Sequence, residues 1–338
     1  MQQAMHDEFQ PIRSERLAAL LGDGHDAQLT MSIGVAQGRL YESIVGGVAQ
    51  RDHVIQGNLP GLAMEAEGLG VRDDVIVAAS IVPFFDEADR IEPLEDGFAQ
   101  VIGLNERLGD FELGATGLRR RQVAGSLLDF GGDDLLRSVE TAAAKVERVR
   151  PFVPPAVFGE LVNSADHAER GERDRYHVAS ANVPAATMFI HCTGFAELLD
   201  DWGEDFRPDI TGLLSRYYTM VQQTVTELGG TLARTDPYKL GFKLLITFGA
   251  PIKHEDDRER AVLAALDLRN RLAEFNRRIE EDVRRLEERA GRSLLRDTYV
   301  RQRIGVTFGM TFAGEAGWKQ RREFTLMGDD VNLAARLM

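Results

Sequence analysis

The sequence predicts an α+β protein that carries two related units in tandem, the first incomplete and the second truncated at its C-terminal side. Three observations predict it. The stretch opening MSIGVAQG at Met31 aligns without a gap on the stretch opening QRIGVTFG at Gln302, under one constant shift of 271 residues. Under that shift Gly34 falls on Gly305, Gly38 on Gly309, Gly46 on Gly317, Arg51 on Arg322 and Gly57 on Gly328. Glycines held in register imply the same turns and close backbone approaches in both stretches. From Ala181 onward, strand-like and helix-like runs follow one another in the order βαββαβ. Finally, 43% hydrophobic and 28% charged residues suffice for a buried core under a solvated surface.

Each copy of the repeat reads as strand, turn, strand, turn, helix. IGVTFGMTFAG alternates its side chains, REFTLM is β-prone, and DVNLAARLM is helix-prone with Asp329 or Asp330 as N-cap. The first copy runs on into DDVIVAASIVPFF, a closing strand. Only about thirty residues precede its first strand, too few for a front half. Residues 1–85 are thus expected to be the C-terminal part of a first domain, and 86–180 a helical connector broken at Pro154-Pro155.

Residues 181–338 read as a second domain lacking its last elements. ATMFIHCTGFAELL is a buried strand followed by a helix start. The next helix shows an apolar stripe at Ile210, Leu213, Leu214, Tyr217, Val221 and Val225 and ends at Gly229-Gly230. TLARTDPYKLGFKLLITFGAP reads as two strands around a turn at Asp236-Pro237. HEDDRERAVLAALDLRNRLAEFNRRIEEDV is a long helix with acidic residues at its start, where the helix dipole favours them. The order is that of a ferredoxin-like βαββαβ unit.

Composition excludes several classes. A formal net charge of −14 argues against a nucleic-acid partner, which needs a basic stripe. The single cysteine, Cys192, forms no internal disulfide and fits a reducing, cytoplasmic setting. No apolar run reaches the ~18 residues of a membrane span, and MQQAMHDEFQ lacks a signal-peptide pattern.

The words of the second unit resemble the class III nucleotidyl cyclase catalytic domain. The family's opening strand and FxDIxGF correspond to Phe189-Ile190-His191-Cys192-Thr193-Gly194-Phe195. Its GG, GD and FGxP correspond to Gly229-Gly230, Gly241-Phe242 and Phe248-Gly249-Ala250-Pro251. Its closing YTxxGDxVNLAARL corresponds to Phe324 through Leu337, FTLMGDDVNLAARL. The resemblance covers 181–338 well and 31–80 more weakly, and is nearest the tandem type represented by soluble adenylyl cyclase.

The resemblance implies conversion of ATP to 3′,5′-cyclic AMP and pyrophosphate at a site shared by two domains. One domain holds two divalent ions, Mg or Mn, on two aspartates; the other supplies an Asn for the ribose and an Arg for the α-phosphate. In this chain His191 and Phe242 occupy the aspartate positions, so it is expected to bind no metal alone. Asn332 and Arg336 match the Asn and Arg, four residues apart on one helix face. Thr325 falls on the adenine-reading position; Lys239, with Arg234 as the alternative, is the candidate adenine-binding cation. In the first copy Gly61 and Glu65 stand where Asn332 and Arg336 stand, so that copy cannot supply those groups. The expected partners are ATP and the absent front half of the first domain, which would carry the metals. Such tandems often precede an ATPase module and helical repeats. The alternative expectation is a degenerate, non-catalytic module that senses nucleotide or docks a regulatory domain.

Overall fold

A computed structural model describes residues 30–105, 132–168, 178–293, 299–318 and 321–338. The rest of the expected first domain (1–29) and connector (106–131 and 169–177) lies outside the described residues. The chain is a mixed α+β protein that divides into two units, one made of 1–40 with 58–121, the other of 41–57 with 122–338.

The first unit contains β1 (Ile33–Val35), α1 (Asn58–Leu69), β4 (Val75–Ala78), β5 (Arg90–Pro93) and β6 (Phe98–Gly103). Its sheet runs β1-β4-β6-β5, with β1 and β4 parallel and the other pairs antiparallel. Ala66 of α1 packs on Ile76, Ala78 and Phe98, a small apolar core. Because β5 and β6 extend this sheet, the first copy's fold continues past Phe85 into the stretch read from sequence as connector. That stretch also carries helices α2 (Gly132–Val149) and α3 (Pro155–Ala168), which belong to the other unit.

The second unit is built on a five-stranded antiparallel sheet in the order β11-β10-β7-β9-β8. Its strands are β7 (Ala181–Thr193), β8 (Thr231–Tyr238), β9 (Gly241–Phe248), β10 (Arg301–Trp318) and β11 (Arg321–Met327). Its helices are α4 (Phe195–Trp202), α5 (Arg207–Glu227), α6 (Asp257–Ala290) and α7 (Asp329–Leu337). The β8–β9 turn is at Lys239-Leu240, not at Asp236-Pro237, since Asp236 and Pro237 remain paired with Lys243 and Phe242. Lys239 takes φ 44 there.

Strand parity splits the sheet into two apolar faces. Met188, Ile190, Cys192, Phe242, Leu244 and Ile246 meet Ile210, Leu213, Tyr217, Val221, Ala264 and Leu268 in one large core. The sequence-predicted stripe of α5 is buried in full. Phe189, Leu245, Ala313, Phe324 and Leu326 form the other cluster with Val331 and Ala334 of α7 and Val157 of α3.

The second unit also includes β2 (Tyr41–Gly46) and β3 (Arg51–Gln56), an antiparallel hairpin from the first copy of the repeat. It lies against α5 and β8. Gln50 Nε2 donates to the Leu232 carbonyl at 3.1 Å, and Arg207 Nε donates to the Tyr41 hydroxyl at 2.8 Å. The Thr235 hydroxyl donates to the Asp52 carboxylate. Val45 and Val54 enter the large core.

The repeat is visible in geometry. A Cβ on Gly34 would lie 2.0 Å from the Ala63 carbonyl oxygen, and one on Gly305 would lie 2.2 Å from that of Ala334. In each copy only glycine lets the helix approach the strand this closely. The corresponding Gly46 and Gly317 have φ 99 and 123, and Gly57 and Gly328 have φ 109 and 149.

Candidate functional site

Helix α7 is held to the sheet by one side and free on the other. Val331 and Ala334 are 7% and 0% exposed. The Thr307 hydroxyl donates to the Asp330 carbonyl at 2.7 Å, and the Asp330 carboxylate lies where a Cβ on Gly309 would be. The N-cap is Gly328, with no side-chain cap bond; Asp329 and Asp330 sit inside the first turn rather than capping it. There they still oppose the positive end of the helix dipole. Asn332 and Arg336 are both exposed on the free side, and neither side chain has a hydrogen-bond or ion-pair partner among the described residues.

Thr325 is buried on β11, opposite Gly314. Arg234 reaches the same strand: its guanidinium pairs with Glu323, two residues before Thr325, and with Asp236, each at 3.0 Å. Lys239 has no such link to β11 among the described residues. Its ammonium stands 5.3 Å from the centre of the Tyr238 ring. The two candidate base-reading cations therefore occupy different places, and Arg234 is the one tied to Thr325's strand.

His191 and Phe242 are on opposite faces of the sheet. Phe242 is fully buried among Phe195, Tyr217 and Tyr218. The residue paired with His191 on β9 is Lys243, and its partner on β10 is Arg303. The His191 ring packs edge-on against Tyr238, with centroids 4.9 Å apart. Burial, then the charges of Arg303 and Lys239, hold its pKa below the ordinary histidine value. Magnesium and manganese want oxygen ligands, carboxylates above all, and neither His191 nor Phe242 offers one. Among the described residues no group of three His, Cys, Asp or Glu is placed to hold a metal. An imidazole at 191 and a phenyl ring at 242, on opposite faces, do not fit a two-metal site at these two positions.

Lys243, Arg303 and Tyr238 were not singled out by sequence. Their signal is the cross-strand register, which no motif carries.

No protein-family model matches the chain. It is 28% identical over 221 residues to the uncharacterized protein Rv1319c of Mycobacterium tuberculosis and, equally, to Mb1353c of Mycobacterium bovis. The matches cover 64% of this chain and 35% of those proteins, so the chain spans about a third of the length of the curated relatives it matches. Among solved structures, it is similar to the adenylyl cyclase CyaB from P. aeruginosa at 22% identity, covering 47% of this chain and 72% of that one, with a TM-score of 0.37. It is similar to a bacterial light-regulated adenylyl cyclase at 20% identity, covering 61% and 50%, with a TM-score of 0.42. Among the described residues, no helix is long and apolar enough to cross a membrane.

Proposed function

We propose that this chain is part of a nucleotidyl cyclase that converts ATP to 3′,5′-cyclic AMP and pyrophosphate, with residues 181–338 forming one wall of a two-domain active site. The observation that carries the reading is the free side of α7. Asn332 and Arg336 project together from a helix whose other side is locked to β10 through Gly305 and Gly309. The strand order β10-β7-β9-β8, with helices between, supports a ferredoxin-like unit.

In this reading the Asn332 amide orients the ribose, and the Arg336 guanidinium offsets charge that builds on the α-phosphate as the 3′-hydroxyl attacks. A planar fork of donors suits that task. Thr325, with Arg234 or Lys239, reads adenine. Phe242 and His191 leave this domain without metal ligands, so a complementary domain bearing two aspartates would hold the two Mg or Mn ions.

Cyclic AMP production by the chain alone, and by a longer polypeptide that supplies the metal-bearing domain, tests the reading. The chain alone is expected to be inactive and the longer protein active. Arg336→Ala should lower that activity by ~10²–10³, the effect of losing one preorganised transition-state contact. Activity of the chain alone, abolished by Arg336→Ala, would overturn the shared-site reading, and a preference for GTP would overturn the substrate. A second reading, a non-catalytic nucleotide-sensing or docking module, is favoured by Phe242 filling the core where a metal aspartate would be. An inactive longer protein would support it.

A further inference from the structure

The sheet face around His191 carries cations where acids would be needed for metal. Arg303, His191 and Lys243 are directly opposed on β10, β7 and β9. Directly opposed residues project to the same face with Cβ atoms about 5 Å apart. The ammonium groups of Lys243 and Lys239 each stand 5.3 Å from the centre of the Tyr238 ring. Next in the row is Asp236, whose carboxylate is held by Arg234 at 3.0 Å. Lys239, Lys243 and Arg303 have no carboxylate partner among the described residues. What sets these three apart is their gathering on one sheet face beside one tyrosine ring. Cations gathered on one face without carboxylate partners point to an anionic ligand.

We propose that this face binds the phosphate chain of a polyphosphate directly, without metal, through Lys243, Lys239 and Arg303. The lysines act as point charges and Arg303 as a fork of donors. The ligand is a nucleoside triphosphate or inorganic pyrophosphate. The inference goes beyond the cyclase reading: it uses none of Asn332, Arg336 or Thr325, and by giving Lys239 to the phosphates it leaves Arg234 as the adenine-reading cation of that reading.

Calorimetric titration of the full chain with inorganic pyrophosphate, in buffer containing EDTA, tests it. Binding is expected without metal and should weaken as salt rises. Arg303→Ala and Lys243→Gln should each weaken it about tenfold, the worth of one charge-assisted contact. Arg277→Ala, which removes an exposed cation of α6 on the other side of the sheet, should leave it unchanged; binding in EDTA is read without any turnover, so failure here is distinct from failure of the cyclase assay. Lys239→Gly removes a charge at a position whose positive φ favours glycine, so loss of affinity in that variant is not a folding defect. ATP in the same buffer separates the sources: tighter binding than pyrophosphate assigns a nucleotide, and equal binding assigns the phosphate chain alone. No binding in EDTA, or binding undiminished in the Arg303 and Lys243 variants, would overturn the proposal.

Discussion

Phe242→Asp would restore a carboxylate at the position where the cyclase resemblance places a metal aspartate, yet the fold opposes it. The Phe242 ring is fully buried, with centroids 5.3 Å from Tyr218, 6.0 Å from Tyr217 and 6.2 Å from Phe195. Removing such a ring costs about 3–5 kcal/mol through lost burial and the cavity left behind. An unpaired carboxylate in that cavity adds a further penalty, met by protonation or by opening of the core. The sum is comparable with the whole stability of a domain, about 5–15 kcal/mol. A metal ion bound at a hundredfold excess over its Kd would return ~2.7 kcal/mol. The new carboxylate would face away from His191, so none of that is expected. Urea unfolding followed by tyrosine and tryptophan fluorescence, with and without Mn, should rank the wild type above Phe242→Leu and Phe242→Leu above Phe242→Asp, with no effect of Mn. An Asp variant as stable as the Leu variant, or a midpoint raised by Mn, would refute the opposite-face argument.

Gly305→Ala should lower stability by about 1–3 kcal/mol, because the added methyl would meet the Ala334 carbonyl at 2.2 Å and the Met338 nitrogen at 2.8 Å, both backbone atoms. Faster hydrogen exchange in α7 would locate the damage, and unchanged stability would contradict the close packing. Asp52→Asn should stabilise the protein at pH 7. Burial raises the Asp52 pKa above 3.8, against smaller opposing effects of the Thr235 hydroxyl and the His53 backbone. The folded state then binds more protons than the unfolded one, so this group's contribution falls as pH rises from the unfolded toward the folded pKa. The advantage of Asn over Asp should therefore fade below about pH 4, where aspartate is protonated in both states. Urea midpoints across that range check the sign.

Much of the α+β character was legible because it is local. Glycines in register announced the two copies, and Gly34 and Gly305 do the same work at the same strand–helix contact. The α5 stripe read correctly because a 3.6-residue period is unambiguous over 21 residues. The face taken by Phe242 was not legible. Leu244, Leu245, Ile246 and Phe248 make β9 apolar on both sides, so alternation cannot tell which parity faces the helices. The cationic row was hidden for a related reason: Lys243 and Arg303 lie 60 positions apart and meet only through β7. Pairing of β5 and β6 with the first sheet escaped notice because both are short and lie among charged residues and prolines.

The membership of the β2–β3 hairpin in the second unit bears on how the chain is made. Gln50 waits for a carbonyl 182 residues later, and Ser43 contacts Thr211 across 168 residues. At a synthesis rate of about 5–20 residues per second, that interval is roughly 10–35 s. Val45 and Val54, destined for the large core, stay uncovered through that time. An isolated two-stranded hairpin is marginal in water. Growth of the nascent chain past α5 and β8 is therefore the step at which this hairpin gains its lasting structure.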